Sequence, residues 1–345
     1  MSSPVTFVEY VWIGGNNELR SKTKVITIDD INDASLQLQD IPEWNYDGSS
    51  TEQASGSDSE VIIKPRAIFN DPFRGHPHKL VMCDTYTPAG EPLSSNNRVW
   101  ANSLFDTKPE QEPWFGLEQE YFLIYPATNR PIGFHENKQQ GQFYCSVGAE
   151  NAFGRTVAEE HLHICVAAGI KISGMNAEVA PGQWEFQIGP CTGIEEGDHL
   201  WMARYLLQRV AEIHNLSVNF NPKPLKGDWN GSGCHTNFST KHMREGFENK
   251  TGLSFIQDAI HKLSLKHDEH MTVYGSGNDL RMTGEHETAS YTVFSHGIAN
   301  RGASVRIGNA NYNNQRGYFE DRRPSSNCDP YLVTGMIFKT TCLDE

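Results

Sequence analysis

The stretch NAEVAPGQWEFQIGP, residues 176–190, decides how the rest of the chain is interpreted. Glu178 and Glu185 lie on either side of an Ala-Pro-Gly turn signal, and strict alternation of apolar and polar residues follows the turn. A strand with this pattern packs its apolar side chains on one face and turns Glu185 to the other. Taken alone, the two acids are compatible with a solvated strand edge or with convergence on a cation.

The composition is typical of a folded protein in water. The chain has 345 residues, enough for two domains and a large core, and 37% of them are hydrophobic. No run approaches the roughly 18 apolar residues of a membrane helix, and residues 1–10 lack the basic and apolar regions of a signal peptide. We expect a cytoplasmic protein with no membrane partner.

The cysteines and the net charge argue against further classes of protein. Seven cysteines are scattered without a CxxC pair, which predicts reduced thiols rather than disulfides or a zinc cluster. The net charge of -14 argues against nonspecific nucleic-acid binding, which requires clustered Lys and Arg.

The N-terminal part is predicted to be a small β-rich domain. Strand-like runs before and after the Gly-Gly-Asn-Asn at residues 14–17 predict a hairpin, and Asp47 follows in a turn-like segment, WNYDGSST. The Pro-, Gly- and Ser-rich residues 87–96 predict a boundary near residue 92. The expected organisation is a domain of residues 1–92 and a larger α/β domain of residues 93–345, in the α+β class.

The larger domain is predicted to alternate strands and helices. Residues 114–125, WFGLEQEYFLIY, predict a strand with Glu118 and Glu120 on one face. Helical spacing and capping residues predict four helices: one capped by Ser94 or Ser95 and reaching Phe105, one over 154–168, one capped by Asp198 and reaching His214, and one over 253–267. His261, His267 and His270 are expected at the surface.

Three irregular segments rich in glycine and asparagine, 228–239, 274–288 and 307–323, are predicted to be functional loops. The first and third contribute His235 and Glu320 to one set of candidate metal ligands, most of them carboxylates: Glu118, Glu120, Glu178, Glu185, His235 and Glu320. Bringing such acids together without metal would cost about 4 kcal/mol per close pair at an effective dielectric near 20. Oxygen-rich ligands favour Mg2+ or Mn2+, two ions for this number of acids, and the absence of cysteine disfavours zinc.

The C-terminal third adds arginines that can bind carboxylates and phosphates: Arg281, Arg301, Arg306, Arg322 and Arg323. Together with a two-metal site, they predict phosphoryl transfer. Neither a Walker A motif nor a GxGxxG between strand and helix is present, so ATP must be held by metals, arginines and loop backbone.

At this point nearly the whole chain resembles glutamine synthetase, specifically its shorter eukaryotic-type class. Seven motifs occur in the order of that family: WNYDGSST, PWFGLEQEY, NAEVAPGQWEFQIGP, PKPLKGDWNGSGCHTNFST, LRMTGEHET, IANRGASVRIG and GYFEDRRPSSNCDPY. The resemblance implies an N-terminal β-grasp domain, a larger catalytic domain, and stacked pentameric rings with active sites between subunits.

The resemblance also implies the metal ligands. One ion, on the glutamate side, would be held by Glu120, Glu178 and Glu185. A second ion, bridging the ATP phosphates, would be held by Glu118, His235 and Glu320. For His235 alone, a packing role would be the simpler interpretation, but its place in the motif favours a ligand.

Substrate contacts are implied in the same way. The glutamate site would contain Trp229, Asn230, Gly231, Arg281, Arg301 and Arg322. The ATP site would contain Trp114, Glu118, Glu185, Asn237, Phe238, Ser239, Arg301, Arg306, Tyr318 and Glu320.

The implied reaction joins glutamate and ammonia at the expense of ATP through γ-glutamyl phosphate. Asp47 resembles the ammonium-binding base of the family, donated by the neighbouring subunit, and Glu287 resembles the carboxylate of a flap that closes the glutamate entrance. Arg281 and Arg301 match further catalytic positions. Glu285 adds a negative charge to the flap, and Gln315 lies in a pair that is more basic in relatives, so we expect weaker ATP affinity.

Two alternatives remain open from the sequence. A γ-glutamyl ligase of the same fold could accept a polyamine or another amine, although Asp47 and Glu287 argue for ammonium. A catalytically inactive structural homologue is the alternative from a different class, although such chains typically lose ligand residues and this chain has the full set.

Overall fold

The computed structural model describes residues 5–28, 36–135 and 140–344. The first part forms a five-stranded sheet with the order β2-β1-β5-β4-β3. Its strands are β1 (Val5–Ile13), β2 (Leu19–Thr27), β3 (Trp44–Asp47), β4 (Glu60–Asn70) and β5 (Lys79–Tyr86). The β1–β2 pairing confirms the predicted hairpin. Naming this sheet a β-grasp domain, and ending it near residue 92, stay predictions.

The second part forms a larger sheet in which the path through the described strands is β12-β13-β14-β11-β6-β9-β8, with β7 and β10 also paired to β6. These strands are β6 (Trp114–Tyr125), β7 (Arg130–Pro131), β8 (Ile172–Ala177), β9 (Gln183–Thr192), β10 (Ser217–Asn219), β11 (Cys234–Ser239), β12 (His296–Ile298), β13 (Val305–Ile307) and β14 (Phe319–Asp321). β6 has the predicted bounds. Mixed α and β content is therefore confirmed.

Helices accompany this sheet, and the second and third along the chain pack directly on its strands. They are α1 (Asn97–Phe105), α2 (Arg155–Ala168), α3 (Glu195–Ile213), α4 (Lys241–Glu245), α5 (Gly252–Leu265), α6 (His267–Val273), α7 (Asn309–Asn313) and α8 (Pro330–Phe338), the last continuing into a π-helical turn, Lys339–Leu343. Among the described residues, every helix is too short or too polar to span a bilayer.

The alternation in β9 does what its sequence predicts. Trp184, Phe186 and Ile188 are each about 1% exposed and belong to the main core. Trp184 also donates its indole N–H to the carbonyl of Phe153 at 2.7 Å. The opposite face of β9 carries Glu185 toward a cavity, because successive strand residues point to opposite faces.

Several predicted details of the helices are wrong. α3 begins at Glu195, so Asp198 lies inside its first turn, where it accepts two hydrogen bonds from Arg98 and is buried by that pairing. α1 is capped by Asn96, whose side chain accepts from the backbone N–H of Val99, rather than by Ser94 or Ser95. Local sequence propensity located the start of both helices approximately. It could not predict that Asp198 pairs with Arg98, which is 100 residues away in the sequence.

The histidine prediction was correct only for His261. His267 and His270 are buried, because α6 packs against α8 and the ring of His267 contacts Arg323. His270 binds the hydroxyls of Tyr274 and Thr340 at 2.6 and 2.9 Å. Residues 228–239 were also predicted as a loop throughout, but their second half is β11, in the middle of the large sheet.

Candidate active site

Glu120, Glu178 and Glu185, named here the first triplet, meet on the open face of the large sheet. Each offers an oxygen, and these atoms lie within 4.8 Å of one another. Glu120 on β6 is directly opposite Glu185 on the antiparallel β9, and Glu178 follows the end of β8. The two acids around the Ala-Pro-Gly turn therefore converge, and the solvated-edge interpretation is wrong.

Backbone and side-chain amides orient these carboxylates. Glu120 accepts the N–H of Gly233 at 2.8 Å, and Glu178 accepts the side-chain amide of Asn176 at 2.9 Å. Glu185 accepts the side-chain amide of Gln187. Sequence reasoning did not assign these orienting roles, although the polar face of β9 already contained Gln187.

Burial raises the pKa of all three carboxyl groups of the first triplet. Repulsion from neighbouring acids raises the pKa of each further, and for Glu178 that neighbour is Glu120. Three buried carboxylates cannot all stay ionised at neutral pH without a positive charge among them. The donor set is all oxygen, which suits a hard divalent cation.

Glu118, His235 and Glu320, the second triplet, lie on three adjacent strands, β6, β11 and β14. Their candidate ligand atoms also lie within 4.8 Å of one another. His235 is paired in register with Glu118, and its Nδ1 is 3.6 Å from a carboxylate oxygen of each glutamate. Burial, followed by the charge of Arg322, holds the pKa of His235 well below its usual range. The ring is therefore neutral, the form in which histidine binds metals.

Arginines surround the second triplet. Arg322 and Arg306 each donate to a different oxygen of Glu320, at 2.6 and 2.7 Å. Arg281 is fully buried, its pKa is lowered to about 10 by that burial, and most of its donors bind Asn278 and backbone carbonyls of residues 322–324. Arg281 therefore anchors the loop that contains Arg322.

All members of the two triplets except Glu320 line a cavity of about 430 Å3, which we call the acidic cavity. Its walls include the predicted glutamate-site residues Asn230, Gly231, Arg281, Arg301 and Arg322, together with Glu287. Trp229 is not part of the wall; its ring packs against Phe134 at a centroid distance of 5.4 Å. Trp229 therefore supports the segment that contains Asn230.

A second cavity of about 580 Å3, the aromatic cavity, adjoins the first, and Glu118 lines both. It contains these predicted nucleotide residues: Trp114, Glu118, Asn237, Phe238, Ser239 and Tyr318. Four other predicted nucleotide residues do not line it: Glu185, Arg301, Arg306 and Glu320. Glu185 and Arg301 line the acidic cavity, Glu320 belongs to the second triplet, and Arg306 lies on β13 beside Glu320.

The aromatic cavity also contains Arg244, which sequence reasoning missed. Its guanidinium carbon lies 3.9 Å from the centre of the Trp114 ring, and the side chain is fixed by Ser239 and Glu112. The signal available in the sequence was weak, because Arg244 belongs to a short surface helix, α4, outside the recognised motifs.

Asp47 lies at the end of β3 and lines neither cavity of its own chain. It is exposed, and hydrogen bonds from Ser49 and Ser50 lower the pKa of its carboxyl to about 2. The carboxylate is therefore ionised at any working pH. Its role at an active site stays a prediction.

Comparison with known proteins identifies the family. Residues 103–342 match the family model described as "Glutamine synthetase, catalytic domain". The chain belongs to the glutamine synthetase family. A rice protein named glutamine synthetase cytosolic isozyme 1-1 is 53% identical over 97% of this chain and 93% of its own length. A mimivirus protein named putative glutamine synthetase is 54% identical, with 99% and 95% covered.

A further relative and a solved structure agree with this assignment and with the fold. A Brassica napus protein named glutamine synthetase, chloroplastic, is 53% identical over 98% of this chain and 78% of its own length. A solved structure described as "GmaS/ADP complex-Conformation 1" superposes with a TM-score of 0.75 over 99% of this chain and 78% of its own, at 21% identity, and supports the fold. The protein is thus an enzyme with the catalytic domain of glutamine synthetase.

Proposed function

We propose that this protein makes glutamine from glutamate and ammonia, with ATP converted to ADP and phosphate through γ-glutamyl phosphate. The observation that supports it best is the placement of two ligand triplets that share the strand β6, at the junction of an acidic and an aromatic cavity. Close relatives named glutamine synthetase support the same reaction.

The residues present fit two divalent cations. The first triplet would hold one ion among three buried carboxylates, which otherwise repel each other, and the second triplet would hold another beside a neutral imidazole. Mg2+ or Mn2+ bound there supplies positive charge that neutralises acids and phosphate oxygens.

ATP would occupy the aromatic cavity with its base near Trp114 and Arg244, and its phosphates would point toward Glu118. Glutamate would occupy the acidic cavity, where Arg322 and Arg301 provide charge for its carboxylates. A γ-carboxylate oxygen then forms a bond to the γ-phosphorus while the bond to ADP breaks. Arg301 and Arg306 would stabilise the charge on the phosphoryl group.

Ammonia would attack the carbonyl carbon of the acyl phosphate, and phosphate would leave. Ammonium has no free electron pair, so a carboxylate must first accept one of its protons. We assign this step to Asp47 of a neighbouring subunit, because Asp47 is ionised, exposed and outside both cavities of its own chain. Glu287, at the mouth of the acidic cavity, would close the ammonium side and keep water out.

A site completed by another subunit requires an oligomer. We propose the stacked pentameric rings implied by the sequence, since a ring places the same surface of each subunit against the next. The cytoplasmic location expected from the sequence stays a prediction.

The test is an assay with ATP, Mg2+ and glutamate in which phosphate and glutamine are both measured. Phosphate should appear in amounts equal to glutamine and only when ammonium is added. Rapid phosphate release without ammonium, or product from methylamine or a polyamine in preference to ammonium, would contradict the proposal.

A further inference from the structure

A hydrogen-bonded chain crosses the mouth of the acidic cavity and joins three loops. It runs from the backbone N–H of Asn230 through the side chains of Gln140 and His286 to the carboxylate of Asp228. The three bonds measure 2.7, 2.8 and 2.8 Å. Gln140 and His286 are separated by 146 residues, so their contact depends on tertiary structure. We call this chain the latch.

The backbone end of the latch fixes every donor and acceptor in it. The N–H of Asn230 can only donate, so Oε1 of Gln140 must accept and Nε2 of Gln140 must donate. Nδ1 of His286 is therefore the acceptor, and its Nε2–H donates to Oδ1 of Asp228. The chain is complete with a neutral imidazole, in one tautomer.

The latch matters because the carboxylate of Glu287 has no restraint of its own. Within the described part of the chain, the side chain of Glu287 forms no hydrogen bond or ion pair. His286 and Glu287 both have left-handed backbone conformations, with φ of 53° and 59°, which non-glycine residues rarely adopt. Such a conformation persists only where neighbouring contacts hold it.

Those contacts lie on both sides of Glu287. On one side, the latch holds the side chain of His286. On the other, Arg322 donates to the carbonyl of Glu287 at 3.3 Å, and the hydroxyl of Thr288 donates to the carbonyl of Glu285 at 2.7 Å. Arg322 also lines the acidic cavity, so its contact depends on what the cavity binds. The latch is a restraint on the His286 side of Glu287 that is independent of Arg322.

The latch also joins the flap to the two ends of the glutamate site. Gly141, beside Gln140, donates its N–H to the carbonyl of Val179, the residue after Glu178. Asn230, at the other end of Gln140, lines the cavity itself. A shift of either segment is therefore transmitted to His286 through one amide side chain.

We propose that His286 and Gln140 are positioning residues that hold Glu287 over the acidic cavity and link flap closure to occupation of the glutamate site. This inference rests on the proposed function for its kinetic consequences. Its structural claim, that the latch orders residues 284–288, is independent of activity.

The first experiment measures hydrogen exchange of the peptide covering residues 281–290, in the full-length protein and in His286→Ala. We expect faster exchange in the variant, since the Thr288 N–H loses the ordered turn in which it donates to Glu285. His261→Ala is the matched control, an exposed histidine on α5. Equal exchange in both variants would overturn the proposal, even if the wild-type protein proved inactive.

The second experiment separates kinetic constants. His286→Ala should lower kcat/KM for ammonium about 10- to 100-fold, because a small displacement of Glu287 is enough to lose the reactive geometry. The KM for ATP should stay within about twofold, since the aromatic cavity is not touched, and ammonium-independent phosphate release should rise. A fall in kcat/KM for ammonium accompanied by an equally large rise in the KM for ATP would indicate general destabilisation and contradict the positioning role.

Two further variants test the donor order. In His286→Asn, the side-chain oxygen can replace Nδ1 as acceptor for Gln140, and asparagine tolerates the left-handed backbone, so most of the protection should return. Gln140→Ala should increase hydrogen exchange as much as His286→Ala does. The double variant should show little further increase, because either single substitution already interrupts the latch. Additive losses, or no recovery with asparagine, would overturn the assigned chain.

Discussion

Nδ2 of Asn237 donates to Oε1 of Glu118 at 2.8 Å, at the place where the aromatic and acidic cavities meet. Asn237 lines only the aromatic cavity, whereas Glu118 lines both. A residue of the aromatic cavity thus orients a carboxylate of the second triplet.

Asn237→Ala should therefore weaken metal and nucleotide binding together. Loss of a residue that orients a metal ligand typically lowers affinity or activity about 10- to 100-fold. We expect a higher KM for ATP and a higher Mg2+ requirement, with the KM for glutamate little changed. Titration of activity against Mg2+ at saturating ATP is the measurement, and an unchanged Mg2+ requirement would contradict this role.

Removing the metal should make the protein less stable as the pH rises. The folded-state pKa values of Glu120, Glu178 and Glu185 are raised by burial, so the folded protein binds more protons than the unfolded chain above pH 4.5, the ordinary value. The Tm in EDTA should fall between pH 6 and 9, and Mg2+ should restore it.

Glu185→Gln provides the matching variant. It should abolish glutamine formation and flatten the pH dependence of stability in EDTA, with a gain in the free energy of unfolding on the order of 1–3 kcal/mol at pH 8 relative to the wild-type protein. Full activity of this variant at saturating Mg2+ would refute the assignment of the first triplet.

Arg244→Ala should raise the KM for ATP. The guanidinium lies over the Trp114 ring, and a cation–π contact of this kind is worth about 0.5–2 kcal/mol, or roughly 2- to 30-fold in affinity. The KM for glutamate should be unaffected, because Arg244 does not line the acidic cavity. Arg316→Ala is a control that removes an arginine outside the ring contact, and equal effects of both variants would exclude the proposed stacking.

Asp47→Asn should impair the use of ammonium while sparing ATP binding. Its carboxylate is ionised because Ser49 and Ser50 hold its pKa at about 2, and the amide cannot accept a proton from ammonium. Oligomers assembled from a mixture of Asp47→Asn and Glu185→Gln chains should regain activity that neither variant has. Failure to regain activity in verified mixed oligomers would place Asp47 outside the shared site.

Acid should destabilise the protein through buried His270. Burial lowers the pKa of His270 to about 3, so the unfolded chain binds the extra proton as pH falls below 6.5. This group alone should cost about 2 kcal/mol between pH 7.5 and 5. His270→Gln should be less stable at pH 7.5 but show a shallower pH dependence in urea unfolding, whereas His261→Gln should follow the wild-type protein.

The alternation of apolar and polar residues, together with turn-forming residues, was sufficient to predict β6, β9 and the first hairpin, because those strands are long and amphipathic. The resemblance to a family was needed to group the six candidate ligands correctly into two sets, which the structure then brings together.

The errors share one physical cause. Asp198, His267 and His270 were interpreted from their own helices, but their surroundings are set by Arg98, by Arg323 and by the C-terminal helical turn, respectively. The latch between Gln140 and His286 was not predicted for the same reason, because neither residue carries a local sequence signal of a contact 146 positions away.

β6 runs without interruption from Trp114 at one end of the site to Glu120 at the other. Six residues of extended chain span about 20 Å at roughly 3.3 Å per residue, so one strand sets the separation between Trp114 in the aromatic cavity and Glu120 in the acidic cavity. A single inserted residue would change this length and also turn Glu118 and Glu120 into the core. The length of β6 therefore fixes the distance between the two cavities, and a change in that length would separate the two substrates of the proposed reaction.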